Sequence, residues 1–205
     1  MDAQRSDGDL LEAWGQGDRS AGAALFDRHF GALSRFFRNK AGDAADDLIQ
    51  QTLLGCVEAR DRFANASSFR TFLFGIARNV LFNHYRAKRS SPQEPDFGVS
   101  AIVELAPSAT SMLAAVGRQR SLLEALRSIP LQFQVVLELS FWERLTAKEI
   151  GEVVDAPEGT VRTRLRRAKE LLAKELRRIE NLSIPLETTI HRLDDWAAEV
   201  RAEYF

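Results

Sequence analysis

The chain has 205 residues, with 28 Lys/Arg against 29 Asp/Glu and a formal net charge of -1. Its hydrophobic share of 45% is enough for packed cores, and the length accommodates one large or two small domains. No apolar run reaches membrane-spanning length, and the polar, acidic opening is unlike a signal peptide. The single Cys56 rules out an internal disulfide, and its place in an apolar helical pattern predicts a buried structural thiol. A cytoplasmic protein is expected, with no membrane insertion.

Residues 1–9 read as disordered. Helical periodicity then runs through Leu10, Leu11 and Trp14, and resumes through Leu25, Phe26, Phe30, Leu33, Phe36 and Phe37. Asp18 and Ser20 mark the break between these two helices. Phe26, Phe30, Leu33 and Phe37 share one face and are expected in the core. Gly42 should end the second helix, and Asp43 is placed to cap the next. That next helix begins acidic, at Asp46 and Asp47, and continues through Leu48, Ile49, Leu53, Leu54 and Val57. Acids there complement the helix dipole, and they also offer a docking surface to a basic partner.

A polar loop follows, and then a long helix over residues 69–89. Its expected core stripe is Phe69, Phe72, Leu73, Ile76, Ala77 and Val80, with Phe74, Phe82 and Tyr85 elsewhere around it. Asn79, Asn83 and Arg86 project together at i, i+4 and i+7. Asn and Arg can read base edges, and aromatic rings can stack on unpaired bases. Packing inside a helical bundle is the plainer use of any one of these rings.

Residues 91–117 are rich in Pro and Ser and poor in charge, and they read as a flexible linker. Helices resume at Leu122, Leu123 and Leu126, and again after Pro130. Thr146 and Glu149 form a capping box ahead of a short helix that should bury Ile150 and Val153. Asp155 and Ala156 turn the chain, and Pro157 suits the start of the next helix. There Val161, Leu165, Ala168, Leu172 and Leu176 make a buried stripe. Residues 158–178 hold eight Lys/Arg against three Glu. A short helix followed by a basic amphipathic one is the helix-turn-helix pattern, whose second helix enters the DNA major groove. The tail, residues 179–205, is acidic. Leu186, Ile190, Leu193, Ala197 and Val200 share one face of it, so it either packs on a neighbour or acts as a regulatory helix.

Charge is therefore segregated within a neutral chain. Residues 60–90 carry seven Lys/Arg against Asp61 alone, which makes a second basic patch. The two patches fit two DNA contacts. The fold class is all-α: domains over residues 10–90 and 118–178, the linker between them and a C-terminal helix. His29, His84 and His191 lack metal-ligand spacing, and no nucleophile motif or phosphate loop accompanies them. Neither an enzyme nor a cofactor is expected.

With these motifs in place, the chain resembles the sigma-70 superfamily of bacterial RNA polymerase initiation factors, and within it the extracytoplasmic function (ECF) group. The resemblance rests on Asp47-Leu-Ile-Gln-Gln-Thr-Leu53, Arg62-Phe63 and Ser68-Phe-Arg-Thr-Phe-Leu-Phe-Gly-Ile-Ala-Arg-Asn79. It rests equally on Ile129-Pro130, Leu145-Thr-Ala-Lys-Glu-Ile-Gly151 and Pro157-Glu-Gly-Thr-Val-Arg-Thr-Arg-Leu165. It implies that Asp46, Asp47, Leu48 and Gln50 bind core RNA polymerase. Arg62, Phe63, Ser68, Phe69, Arg78, Asn79, Asn83 and Arg86 would capture the melted minus-ten promoter element. Arg162, Thr163, Arg166 and Arg167 would read the minus-thirty-five element in duplex DNA. Polymerase would supply all catalysis. The clamp-binding motif commonly reads Asp-Ala-Glu-Asp-Leu-Val-Gln-Glu; here Ala44, Asp46 and Gln51 replace its first Asp and both Glu residues. Phosphate on Thr52 would restore negative charge there. In this group an anti-sigma protein is the commonest inhibitor; a regulatory kinase and the tail itself are the other regulators considered. The competing reading is a two-domain helix-turn-helix repressor or activator that acts without polymerase.

Overall fold

The structure is a computed structural model that describes residues 5–60, 68–88, 118–180, 188–190, 193 and 195. These residues are helical or connect helices, with no strand among them. The chain divides into two compact units, the first holding residues up to Ser90 and the second nearly all that follows.

The first unit is built from α1 (Asp7–Gly15), α2 (Arg19–Ala41), α3 (Ala45–Ala59) and α4 (Phe69–Lys88). Order begins earlier than composition suggests. Ser6 and Asp9 form a capping box that starts α1 at Asp7, the Ser6 amide donating to the Asp9 carboxylate at 3.0 Å. Leu10 and Trp14 bury this helix against α2. A Cβ at Gly22 of α2 would lie 2.6 Å from the Trp14 ring, so only glycine admits that approach. Asp7 clamps the same two helices, 2.5 Å from the Arg28 guanidinium and 2.6 Å from His29 Nε2. Asp18 lies at the expected break and caps α2, accepting from the Ser20 and Ala21 amides. Asp43 does not cap α3. It lies in a short 3-10 turn, and the cap residue is Ala44, which makes no side-chain hydrogen bond there.

The core of this unit combines Leu25, Leu33, Phe36 and Phe37 with Ala45, Leu48, Ile49, Cys56, Leu73, Phe74, Ala77 and Leu81. Two expectations fail. Phe30 is 48% exposed although it shares a face with Leu33 and Phe37, and Phe74 is fully buried although it was expected off the core stripe. Periodicity identifies a shared face, but it does not reveal which neighbour covers that face. Lys40 is also buried, its ammonium 2.8 Å from the Phe36 carbonyl and 3.8 Å above the Phe36 ring. The Tyr85 hydroxyl donates to the Lys40 carbonyl and ties α4 to the end of α2. Cys56 is buried as expected, and that burial pushes its thiol pKa up to about 12.

The described helices after residue 90 are α5 (Arg118–Arg127), α6 (Leu131–Phe141), α7 (Ala147–Val154) and α8 (Glu158–Glu180). Every residue from Gln134 to Leu139 is buried, which leaves α6 covered on all sides. Gln134 offsets part of its burial by donating to the Ile129 carbonyl at 2.7 Å. The Thr146–Glu149 capping box is present, with the Thr146 amide 2.7 Å from the carboxylate. Ile150 and Val153 are buried, as are Val161, Ala168, Leu172 and Leu176; Leu165 is half-buried. The turn between α7 and α8 is tight. Asp155 takes a left-handed φ of 51°, and the Ala156 amide donates to the Gly151 carbonyl at 2.9 Å. A Cβ on Gly151 would meet the Ala156 carbonyl oxygen at 2.6 Å, which explains glycine there. In the tail, Thr189 and Leu193 are buried and Asp195 is exposed. Leu186, Ala197, Val200 and the linker lie outside the described residues.

Candidate nucleic-acid interface

Three surfaces carry the nominated residues. On α3, Asp46, Asp47 and Gln50 are exposed, as the docking role requires. Leu48 is only 2% exposed and belongs to the core, so it anchors the helix and presents no docking atom. Two side chains that the sequence pattern groups with the apolar face are open on the same helix: Leu54 is 58% exposed and Val57 48%. Asp47, Gln50, Leu54 and Val57 are spaced i, i+3, i+7 and i+10, which sets them in one stripe. The departure of the apolar pattern at Leu54 and Val57 from the Leu48, Ile49, Thr52, Cys56 face was the available signal.

Thr52 corrects a second expectation. It is fully buried, and its hydroxyl donates to the Leu48 carbonyl at 2.7 Å. A kinase cannot reach it in this fold, and a phosphate would need buried space and desolvation of its charge. Modification of Thr52 as a docking switch is therefore overturned.

The second surface is α4. Ser68 caps it, its hydroxyl accepting from the Thr71 amide at 3.1 Å. Phe69 was nominated both as core and as a base contact; the structure supports only the first. It is 1% exposed within a cluster of rings, 6.4 Å from Trp14, 6.1 Å from Phe26, 5.4 Å from His29 and 6.3 Å from Phe72. A ring so enclosed cannot stack on a base. Asn79, Asn83 and Arg86 are exposed. Arg78 lies over the Phe82 ring at 4.7 Å and donates to the Asn79 side-chain oxygen at 3.0 Å. The arrangement offers amide donors and acceptors along one edge, with an arginine-covered ring beside them. Arg62 and Phe63 lie outside the described residues.

The third surface is α8. Arg162, Thr163, Arg166 and Arg167 are all exposed, opposite the buried stripe that packs on α5 and α6. Each of the three arginines has a glutamate of the same helix beside it, and two of them share one. Arg162 contacts Glu158 at 2.5 Å, while Arg166 and Arg167 contact Glu170 at 3.7 and 3.2 Å. Exposed pairs at this spacing contribute about 0.3–0.5 kcal/mol each, which a base-specific contact worth about 1–3 kcal/mol outweighs.

Comparison with known proteins bears on both units. Residues 25–91 match the family described as sigma-70 region 2, and residues 119–172 match sigma-70 region 4. Together these matches span more than half of the chain. An ECF RNA polymerase sigma-E factor of Haemophilus influenzae is 24% identical over 188 residues, covering 86% of this chain and 98% of that protein. The RNA polymerase sigma factor HrpL of Pseudomonas syringae pv. syringae is 30% identical over 141 residues, covering 68% of this chain and 77% of that protein. Among solved structures, CnrH in complex with the cytosolic domain of CnrY shares the fold with a TM-score of 0.63 at 22% identity. That likeness covers 83% of this chain and 96% of that one.

Proposed function

Because this chain belongs to the sigma-70 family of RNA polymerase sigma factors, in its ECF group, we propose a division of labour among its three surfaces. The exposed stripe of α3 docks the chain on core polymerase through Asp46, Asp47, Gln50, Leu54 and Val57. Arg62 and Phe63 with Asn79, Asn83 and Arg86 hold unpaired bases of the minus-ten element. Arg162, Thr163, Arg166 and Arg167 read the minus-thirty-five element in the major groove. The observation that carries this assignment is the split of chemistry between surfaces. Carboxylates with open aliphatic side chains suit a protein partner, and arginines on a bare helix face suit duplex DNA.

The chain performs no catalysis of its own in this reading; the bound polymerase forms the phosphodiester bonds. No helix among the described residues is long and apolar enough to cross a membrane, in keeping with a cytoplasmic site of action. An anti-sigma protein is the proposed inhibitor. A fold neighbour, the sigma factor RpoE of Bartonella quintana, is seen in complex with the anti-sigma factor NepR, and the α3 stripe is the surface for which such a partner and polymerase would compete. A repressor acting without polymerase is not favoured by family membership.

Run-off transcription tests the assignment. The purified chain is added to sigma-free bacterial core polymerase on genomic promoter fragments. Defined transcripts are expected, and their loss on Leu54→Asp, together with loss of co-purification with core, would locate the docking stripe. Normal transcription by Leu54→Asp would overturn that stripe. No transcripts from the native chain, combined with tight palindrome binding in the absence of polymerase, would overturn the whole reading.

A further inference from the structure

Glu170 is an acidic residue on the most basic helix of the chain, and its geometry differs from that of the other ion pairs there. One carboxylate oxygen faces Arg166 Nη1 at 3.7 Å and the other faces Arg167 Nη1 at 3.2 Å. At Glu158, by contrast, a single oxygen takes both contacts of one partner, Arg162, at 3.0 and 2.5 Å. Arg166 and Arg167 are adjacent in sequence, so their side chains leave the helix about 100° apart. A shared partner one turn further on, at i+4 and i+3, draws both guanidinium groups toward the same point. Their side chains are otherwise 76% and 61% exposed, with nothing else shown to fix them.

This matters because an arginine reads guanine through a planar fork that must be correctly aimed, whereas it binds phosphate from many directions. An unconstrained arginine pair therefore favours any DNA. From this geometry we infer that Glu170 is a positioning residue for promoter selection. It aims Arg166 and Arg167 together and charges every non-specific phosphate contact with the loss of a carboxylate partner. The inference rests on α8 being the duplex-reading helix. It adds a role for an acidic side chain that would itself repel DNA.

The test uses holoenzyme reconstituted with core polymerase and a promoter fragment recovered by selection with that holoenzyme. Binding to the intact fragment and to one with a scrambled upstream element is followed by fluorescence anisotropy across a salt series. Glu170→Gln removes the charge and should bind the scrambled fragment severalfold tighter. Its salt slope should steepen by about one unit for each phosphate contact newly made. Glu170→Asp keeps the charge but shortens the reach. It should leave scrambled-fragment affinity near native while lowering the ratio of intact to scrambled binding severalfold. Unchanged ratio and slope in Glu170→Gln, or a native ratio in Glu170→Asp, would overturn the role of Glu170. Loss of promoter preference in neither Arg166→Ala nor Arg167→Ala would instead overturn the assignment of α8. Glu170 is half-buried, so the melting temperatures of both variants are measured alongside, and unchanged values separate aiming from folding.

Discussion

Helices α4 and α8 are both basic, yet their chemistry is arranged in opposite ways. On α4 the polar groups stand beside aromatic rings, and the arginine nearest them lies across a ring and bonds an amide. On α8 no ring accompanies the reading face, and each of its three arginines contacts a glutamate of the same helix. The difference fits the two targets proposed for these helices. Unpaired bases offer faces and edges, which rings and amides can hold while nearby cations track the backbone. A duplex offers a continuous rail of phosphate, so charge is needed for affinity and must be restrained for selectivity.

The strongest way to break this comparison is to disable one helix and leave the other untouched. Gly151→Ala forces a Cβ into the Ala156 carbonyl at 2.6 Å, a backbone atom with little freedom to move. Overpacking of this kind costs about 1–3 kcal/mol, with this site near the upper end. Upstream recognition should fail while the first unit keeps its melting transition in calorimetry. Arg167→Ala comes next, and should cost about 1–3 kcal/mol of upstream-element binding with no change in affinity for a minus-ten single strand. An unchanged promoter profile would remove Arg167 from the reading face. Asn83→Ala is the converse and smaller change, about 1 kcal/mol against the single strand for a lost hydrogen bond. Equal losses on both DNA targets would erase the distinction between the helices.

The smallest effect concerns the scaffold beneath α4. Burial raises the Asp7 carboxyl pKa, but hydrogen bonds from Arg28 and His29 outweigh it, and the net pKa lies below the ordinary carboxylate value. A depressed folded pKa gives stability that is present above the unfolded value, near 4, and is lost as pH falls through the folded value. Asp7→Asn should therefore lower first-unit stability at pH 7 by less than about 1 kcal/mol, given its exposure. The two melting curves should converge in acid. A gap that persists there would mean that shape, not charge, holds α1 in place.

Much of this was legible in the chain itself. The helix-turn-helix declared itself through the Thr146–Glu149 box and the stripe from Val161 to Leu176, because capping and periodicity are local. The misreadings share one cause. Phe69, Phe74, Phe30 and Leu48 were each placed on a helix correctly, but which elements cover a face is decided by packing between helices far apart in sequence. Trp14 closes over Gly22 and stacks edge-on to Phe69, and no periodicity announces that meeting. The start of α1 was different. Ser6 and Asp9 spelled out a capping box, and the polar composition around them concealed it.

Cys56 gives the molecule a built-in clock. It is the one thiol among 205 residues, it lies in the core of the first unit, and its high pKa keeps it protonated and unreactive. Only a transient opening that wets α3 can expose it to an alkylating reagent. Its labelling rate therefore counts excursions of the first unit alone, while the second passes unrecorded. A partner clamped on α3 should slow that clock without touching the sulfur.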